Sequence, residues 1–288
     1  MPHYIINERP EKSLESRSAD EFVFKSNVRQ SLAQTTLLQR ALAFAEACLI
    51  SYLPESQFQQ AANKIGWQLR MSLTSSHGRC FLMETETDTL VLFRGSSEKD
   101  WEEIGSEEKA AAIFGETIGT VQKCFKKDVD KIWPQLEKEL ESNQKPLWFT
   151  GHSLGGALAV ICANRCLLSY IRSEPEELHT FGCPRVGSKK YVRNINLNHY
   201  RWVNNNDYVT RVPPAVAGYR HCGQEMHIDH TGQLRDIGWG ERSLNNTLCL
   251  IRNRLTNDRR DAQEHSIIRY FDRIFALARN EKPEKTKN

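Results

Sequence analysis

The 288-residue chain is long enough for one large domain, and 39% hydrophobic residues with 9% aromatics exclude general disorder. Lys and Arg number 39 against 36 Asp and Glu, a net charge of +3 that is too small to point to a nucleic-acid partner. No apolar run approaches the roughly 20 residues that cross a bilayer, so no transmembrane segment is expected.

Residues 1–28 are charged and aperiodic and read as an arm ahead of the domain. The opening lacks the basic cap, apolar stretch and cleavage site of a secretory signal, which favours a cytoplasmic protein, with export by a signal-independent route as the alternative. From Leu32 to Leu53, Leu, Ala and Phe recur at helical spacing, and Pro54 supplies a stop. Trp67 to Ser72, Gly78 to Glu84 and Thr89 to Phe93 read as strands parted by turn residues. Ala110 to Leu140 returns to helical composition. A short strand, Leu147 to Thr150, then precedes a helix from Leu154 to Leu168 that is apolar on nearly every side, the mark of burial. Further strands are expected at His179 to Gly182, Tyr200 to Asn204 and Gln224 to Ile228. The last helix, from Ser266, sets Ile267, Ile268, Phe271, Ile274, Phe275 and Ala278 on one face, and residues 280–288 form a charged tail. Strands alternating with helices predict a single α/β domain over 29–279, its mostly parallel central sheet flanked by helices. Eight cysteines without CxxC spacing read as reduced, mostly buried thiols.

The strongest chemical signal is Gly151-His152-Ser153-Leu154-Gly155, a G-x-S-x-G sequence between a predicted strand and a predicted helix. A sharp turn there would expose the Ser153 hydroxyl and aim the free N–H groups of the helix start at a developing oxyanion. A serine needs a base, and the base a carboxylate, which in the α/β-hydrolase arrangement follow in the order serine, acid, histidine. Of the later histidines only His265 sits at the start of the final amphipathic helix. Asp207 follows a predicted strand in an Asn-rich turn, with Asp229, Asp236, Asp258 and Asp261 as rivals that spacing alone leaves open. The second oxyanion donor is expected from Ser96 in Phe93-Arg94-Gly95-Ser96-Ser97, beside the N–H of Leu154. His221, Cys222, His227 and His230 crowd into ten residues, yet on one strand face His221 and His227 would stand about 20 Å apart, so no metal is expected.

Taken together, VLFRGSSEKDW (91–101), WFTGHSLGGALA (148–159), TFGCPRVGS (180–188), WVNNNDYVTRVPP (202–214), GYRHCGQEMHID (218–229) and HSIIRYF (265–271) resemble the class 3, fungal-type triacylglycerol lipases of the α/β-hydrolase superfamily. The resemblance spans roughly residues 35–278 in family order. It implies an α/β-hydrolase fold, Ser153 as nucleophile, Asp207 as acid, His265 as base, and Ser96 with Leu154 as oxyanion donors. It further implies a monomeric acylglycerol hydrolase that needs no cofactor and touches a lipid interface transiently. A phospholipase or short-chain esterase is the alternative reading, and a catalytically silent lipid-binding protein on the same fold is another. Two departures stand out. Val121-Gln122-Lys123-Cys124-Phe125 replaces the V-H-x-G-F element often seen in the family. The lid region between Trp101 and Val121 is Glu-rich, with only Ile104, Ile113, Phe114 and Ile118 as bulky apolar groups.

Overall fold

A computed structural model describes residues 30–95, 111–235 and 263–281, together with Leu14, Asp20, 23–26 and Val28. Its core is an eight-stranded sheet in the order β1-β2-β3-β6-β7-β9-β11-β12. The strands are β1 (Gln68–Thr74), β2 (Arg79–Glu84), β3 (Thr89–Arg94), β6 (Leu147–His152), β7 (Pro175–Phe181), β9 (His199–Asn204), β11 (Gln224–Ile228) and β12 (Leu234–Arg235). From β3 to β11 every pairing is parallel, while β1, β2 and β12 pair antiparallel at the edges. The mostly parallel sheet flanked by helices agrees with the sequence reading.

Alternation along the strands divides the core into two layers. Leu90 and Leu92 of β3 join Trp148 of β6 in one apolar cluster, while Val91, Phe93, Leu147 and Phe149 enter the other. The first layer is closed by α1 (Leu37–Ile50), α2 (Glu55–Lys64) and the final helix, and the second by α3 (Lys123–Leu140) and α4 (Leu154–Leu168). Helix α4 is buried at twelve of its fifteen positions, as its all-round apolar sequence requires.

Three departures from the sequence reading have local causes. The helix expected from Leu32 begins at Leu37, where Thr36 and Gln39 form a reciprocal capping box, and it stops at Ile50. Pro54 then opens α2, because a residue without an N–H suits a helix start as well as a helix stop. Within the helix expected over 110–140, residues 112–122 form a hairpin, β4 (Ala112–Phe114) and β5 (Thr120–Gln122). It joins β8 (Gly187–Ser188) and β10 (Tyr219–Arg220) in a second sheet, and α3 starts only at Lys123. The described part of the expected lid is this hairpin, with Phe114 and Ile118 exposed. A short helix, α5 (Lys189–Arg193), follows β8, and the final helix is α6 (Ile267–Arg279), with Ile267, Tyr270, Phe271 and Ile274 buried. Seven cysteines are free and all but Cys124 of these are buried, while Cys249 lies outside the described residues. Among the described residues no helix is long and apolar enough to cross a membrane.

Candidate active site

Parallel α/β sheets gather their chemistry at the carboxyl ends of the strands, and the three residues picked from the sequence meet there. Ser153 occupies the single residue between β6 and α4, with φ 58° and ψ −132°. A non-glycine residue there costs on the order of 1–3 kcal/mol, which the surrounding chain must hold in place. A Cβ on Gly155 would stand 2.2 Å from the carbonyl oxygen of Phe93, and one on Gly151 2.4 Å from that of Gly155, so only glycine allows so tight a bend. The Ser153 N–H donates to the carbonyl of Phe181 at 2.9 Å, which ties the bend to β7.

His265 lies in the turn just before Ser266, the N-cap of α6, and its Nε2 stands 2.8 Å from Ser153 Oγ. Its Nδ1 is 2.9 Å from Asp207 Oδ2 and 3.0 Å from Oδ1. Asp207 follows the end of β9 and is fully buried. It also accepts from the Tyr270 hydroxyl at 2.6 Å and from the Val209 N–H at 2.9 Å. Burial alone would raise its pKa, but the charge and hydrogen bond of His265, with those from Tyr270 and Val209, hold the carboxyl below its ordinary range. Of its rivals, Asp229 accepts from Thr231 and from the Gln233 N–H within the β11–β12 turn, and Asp236, Asp258 and Asp261 lie outside the described residues.

The histidine is held from behind by residues that the sequence reading did not assign. The His152 ring stacks on that of His265 with centroids 4.7 Å apart. His152 Nε2 stands 2.8 Å from the His265 carbonyl oxygen and must donate to it, so Nδ1 is left to accept from the Tyr52 hydroxyl at 2.8 Å. Burial, then the neighbouring charge of His265, pushes the His152 pKa down to about 3, so this ring stays neutral. Asn204 Nδ2 donates to the carbonyl oxygen and to the carboxylate of Glu264 at 2.8 Å, fixing the residue before the histidine. Nothing in the sequence marked Tyr52, since it comes from another helix end, and Tyr270 was not among the residues read as the core face of the last helix.

Leu154 opens α4 directly after Ser153, so its N–H has no acceptor within the helix. Ser96 lies outside the described residues, but Gly95 before it abuts the site: a Cβ there would be 3.2 Å from Ser153 Cβ. Elsewhere, His221 Nε2 meets the Thr210 carbonyl at 2.7 Å, and Cys222 Sγ lies 3.5 Å from His199 Nδ1.

Residues 90–217 match the family model described as Lipase (class 3). This stretch of the chain is therefore similar to the class 3 lipases. The secreted mono- and diacylglycerol lipase 1 of Fusarium solani is 40% identical over 85 residues, covering 28% of this chain and 24% of that protein. A lipase of Rhizomucor miehei is 33% identical over 160 residues, covering 50% of this chain and 43% of the relative. The match thus spans less than half the length of either of these relatives. The crystal structure of the lipase from Rhizopus microsporus var. chinensis superposes with a TM-score of 0.56 at 21% identity, covering 71% of this chain and 79% of that one, which establishes the α/β-hydrolase fold. The cytoplasmic expectation is overturned here, because the Fusarium relative and others are named as secreted lipases. That expectation rested on the first residues alone, and they do not report the compartment.

Proposed function

We propose that the chain is a serine carboxylic-ester hydrolase acting on acylglycerols, with residues 29–279 as its catalytic domain. The observation that carries this reading is the unbroken chain of hydrogen bonds from Ser153 Oγ through His265 to a buried Asp207, at a serine held in a positive-φ elbow. Each part has a chemical role. His265 Nε2 takes the proton from Ser153 Oγ as the oxygen attacks the ester carbonyl. Asp207 keeps Nδ1 protonated and supports the imidazolium that forms. The Leu154 N–H, with that of Ser96, receives the charge developing on the carbonyl oxygen. Collapse expels the alcohol, which leaves with the proton from Nε2, and water then repeats the steps to free the fatty acid and Ser153.

The acylglycerol assignment is supported by the names of the relatives, which include mono- and diacylglycerol lipases. The enzyme works as a monomer that meets its substrate at a lipid surface. A series of acylglycerols run on wild type and Ser153→Ala tests the reading. The variant is expected to lose on the order of 10⁶ in kcat. Turnover retained in folded, purified Ser153→Ala would end the assignment.

A further inference from the structure

Four arginines lie near one another by the segment that follows Asp207. Arg201 lies in β9, Arg185 follows β7, Arg211 ends the turn after Asp207, and Arg220 is in β10. Arg185 Nη1 donates to the carbonyls of Arg211 and Pro213. Arg211 Nη2 donates to Asn206 Oδ1 at 3.2 Å, and Arg220 Nη1 to the Ala215 carbonyl at 2.6 Å and that of Tyr219 at 2.8 Å. These are neutral acceptors. Among the described residues the one ion pair in the group is Arg201 Nη2 to Glu225 Oε2, at 2.6 Å. Among the described residues four cations therefore face one carboxylate.

Two donors are also left over. Arg201 is 5% exposed, yet its Nε meets no acceptor among the described residues, and neither does the buried Nη1 of Arg211. A buried N–H without a partner costs roughly 1–3 kcal/mol, more on a charged group, so such atoms in a native fold call for an acceptor. The crowding of positive charge is felt by its neighbours. Burial, then the charges of Arg201, Arg220 and Arg211, lowers Arg185 to about 10. Burial, then Arg201 and Arg185, pushes His221 well below its ordinary value.

We propose that Arg185, Arg201, Arg211 and Arg220 form a binding site for a phosphate group. Guanidinium forks from several directions match the oxygens of a phosphate, and its charge of about −2 offsets most of the unpaired cationic charge. Arg220 is exposed and gives the site its opening. Its guanidinium is bonded to the turn Ala215–Ala217, where Val216 is 97% exposed, so an apolar tip flanks the cation as at the edge of a phospholipid layer. The same chemistry serves a free phosphate. The site asks nothing of Ser153, so it stands or falls apart from ester hydrolysis.

The test uses the full chain with Ser153→Ala, so that no ester is consumed. Inorganic phosphate is titrated by calorimetry at constant ionic strength, which removes general screening. Dihexanoyl phosphatidic acid and uncharged dihexanoylglycerol follow in parallel. Saturable phosphate binding is expected, weakened at least tenfold by either Arg211→Gln or the surface variant Arg220→Gln. Phosphatidic acid that competes with phosphate and binds more tightly identifies a lipid headgroup as the source; equal or weaker binding identifies free phosphate, and either keeps the site. Absence of saturable binding by both phosphates overturns the proposal. So does binding that is unchanged in folded Arg211→Gln and Arg220→Gln.

Discussion

Gly182→Ala gives a measure of how tightly the fold must hold the site. Gly182 follows β7 with φ +61°, beside the contact between Asp207 and His265. A Cβ built there lies 2.7 Å from Asp207 Oδ2 and 2.9 Å from both Cε1 and Nδ1 of His265, about 0.5 to 0.7 Å short of ordinary contact at 3.4 Å. Asp207 is fixed by Tyr270 and the Val209 N–H, and the imidazole by His152 behind it, so the added methyl must force the His265 ring and the Asp207 carboxylate apart. A 1 Å misplacement costs about 10² in rate, so a shift of roughly half that size should lower kcat some 10- to 100-fold. The backbone cost of a left-handed alanine, about 1–2 kcal/mol, leaves the protein folded. The assay is kcat on a water-soluble short-chain ester, with circular dichroism and a urea midpoint as controls. A folded variant with kcat within twofold of wild type would refute both the contact and the role assigned to the pair.

Two further predictions rest on the same surroundings. Tyr270→Phe removes a hydrogen bond to a buried carboxylate and leaves the Asn204 N–H, which donates to the same hydroxyl at 3.0 Å, without its acceptor. A loss of about 1.5–3 kcal/mol follows, read as a lower urea midpoint, and an unmoved midpoint counts against the network. Acid sensitivity has a worked sign. His152 and His199 are held down to about 3, and His221 well below its ordinary value, in each case chiefly by burial. Unfolded histidines bind protons below about 6.5 while these three do not, so their contribution is complete above that pH and is lost as pH falls toward 3. For His152 and His199 the loss runs at about 1.4 kcal/mol per pH unit between about 6.5 and about 3, and His221 adds to it in the same direction. Urea midpoints that stay level from pH 6.5 to 4 would contradict the buried neutral state.

Why some of this was legible in the sequence and some was not follows from the range of the forces involved. The elbow was legible because its requirements are local: a strand, glycines on both sides of the serine, and an apolar helix at once after it. The order of serine, acid and histidine was expected from the α/β-hydrolase arrangement, and the parallel sheet does bring the ends of β6 and β9 to one edge. The choice of Asp207 over Asp229 was not a local matter, since both are turn aspartates after a strand. Their difference is that β9 lies beside β7 next to the elbow, whereas Asp229 follows β11, one strand further out. The hairpin at 112–122 was misread as helix because its strands are three residues long, too short for alternation to appear, and are fixed by pairing with β8 some 65 residues later. Tyr52, His152 and Tyr270 lie furthest from sequence reach. Each supports the histidine through one hydrogen bond made across more than 60 residues, and that separation is set by the packing of α1 and α6 on the same layer. The proposed nucleophile is thus a residue that a local pattern announces, while the placement of its proposed partners is held by residues that only the assembled layer brings into contact.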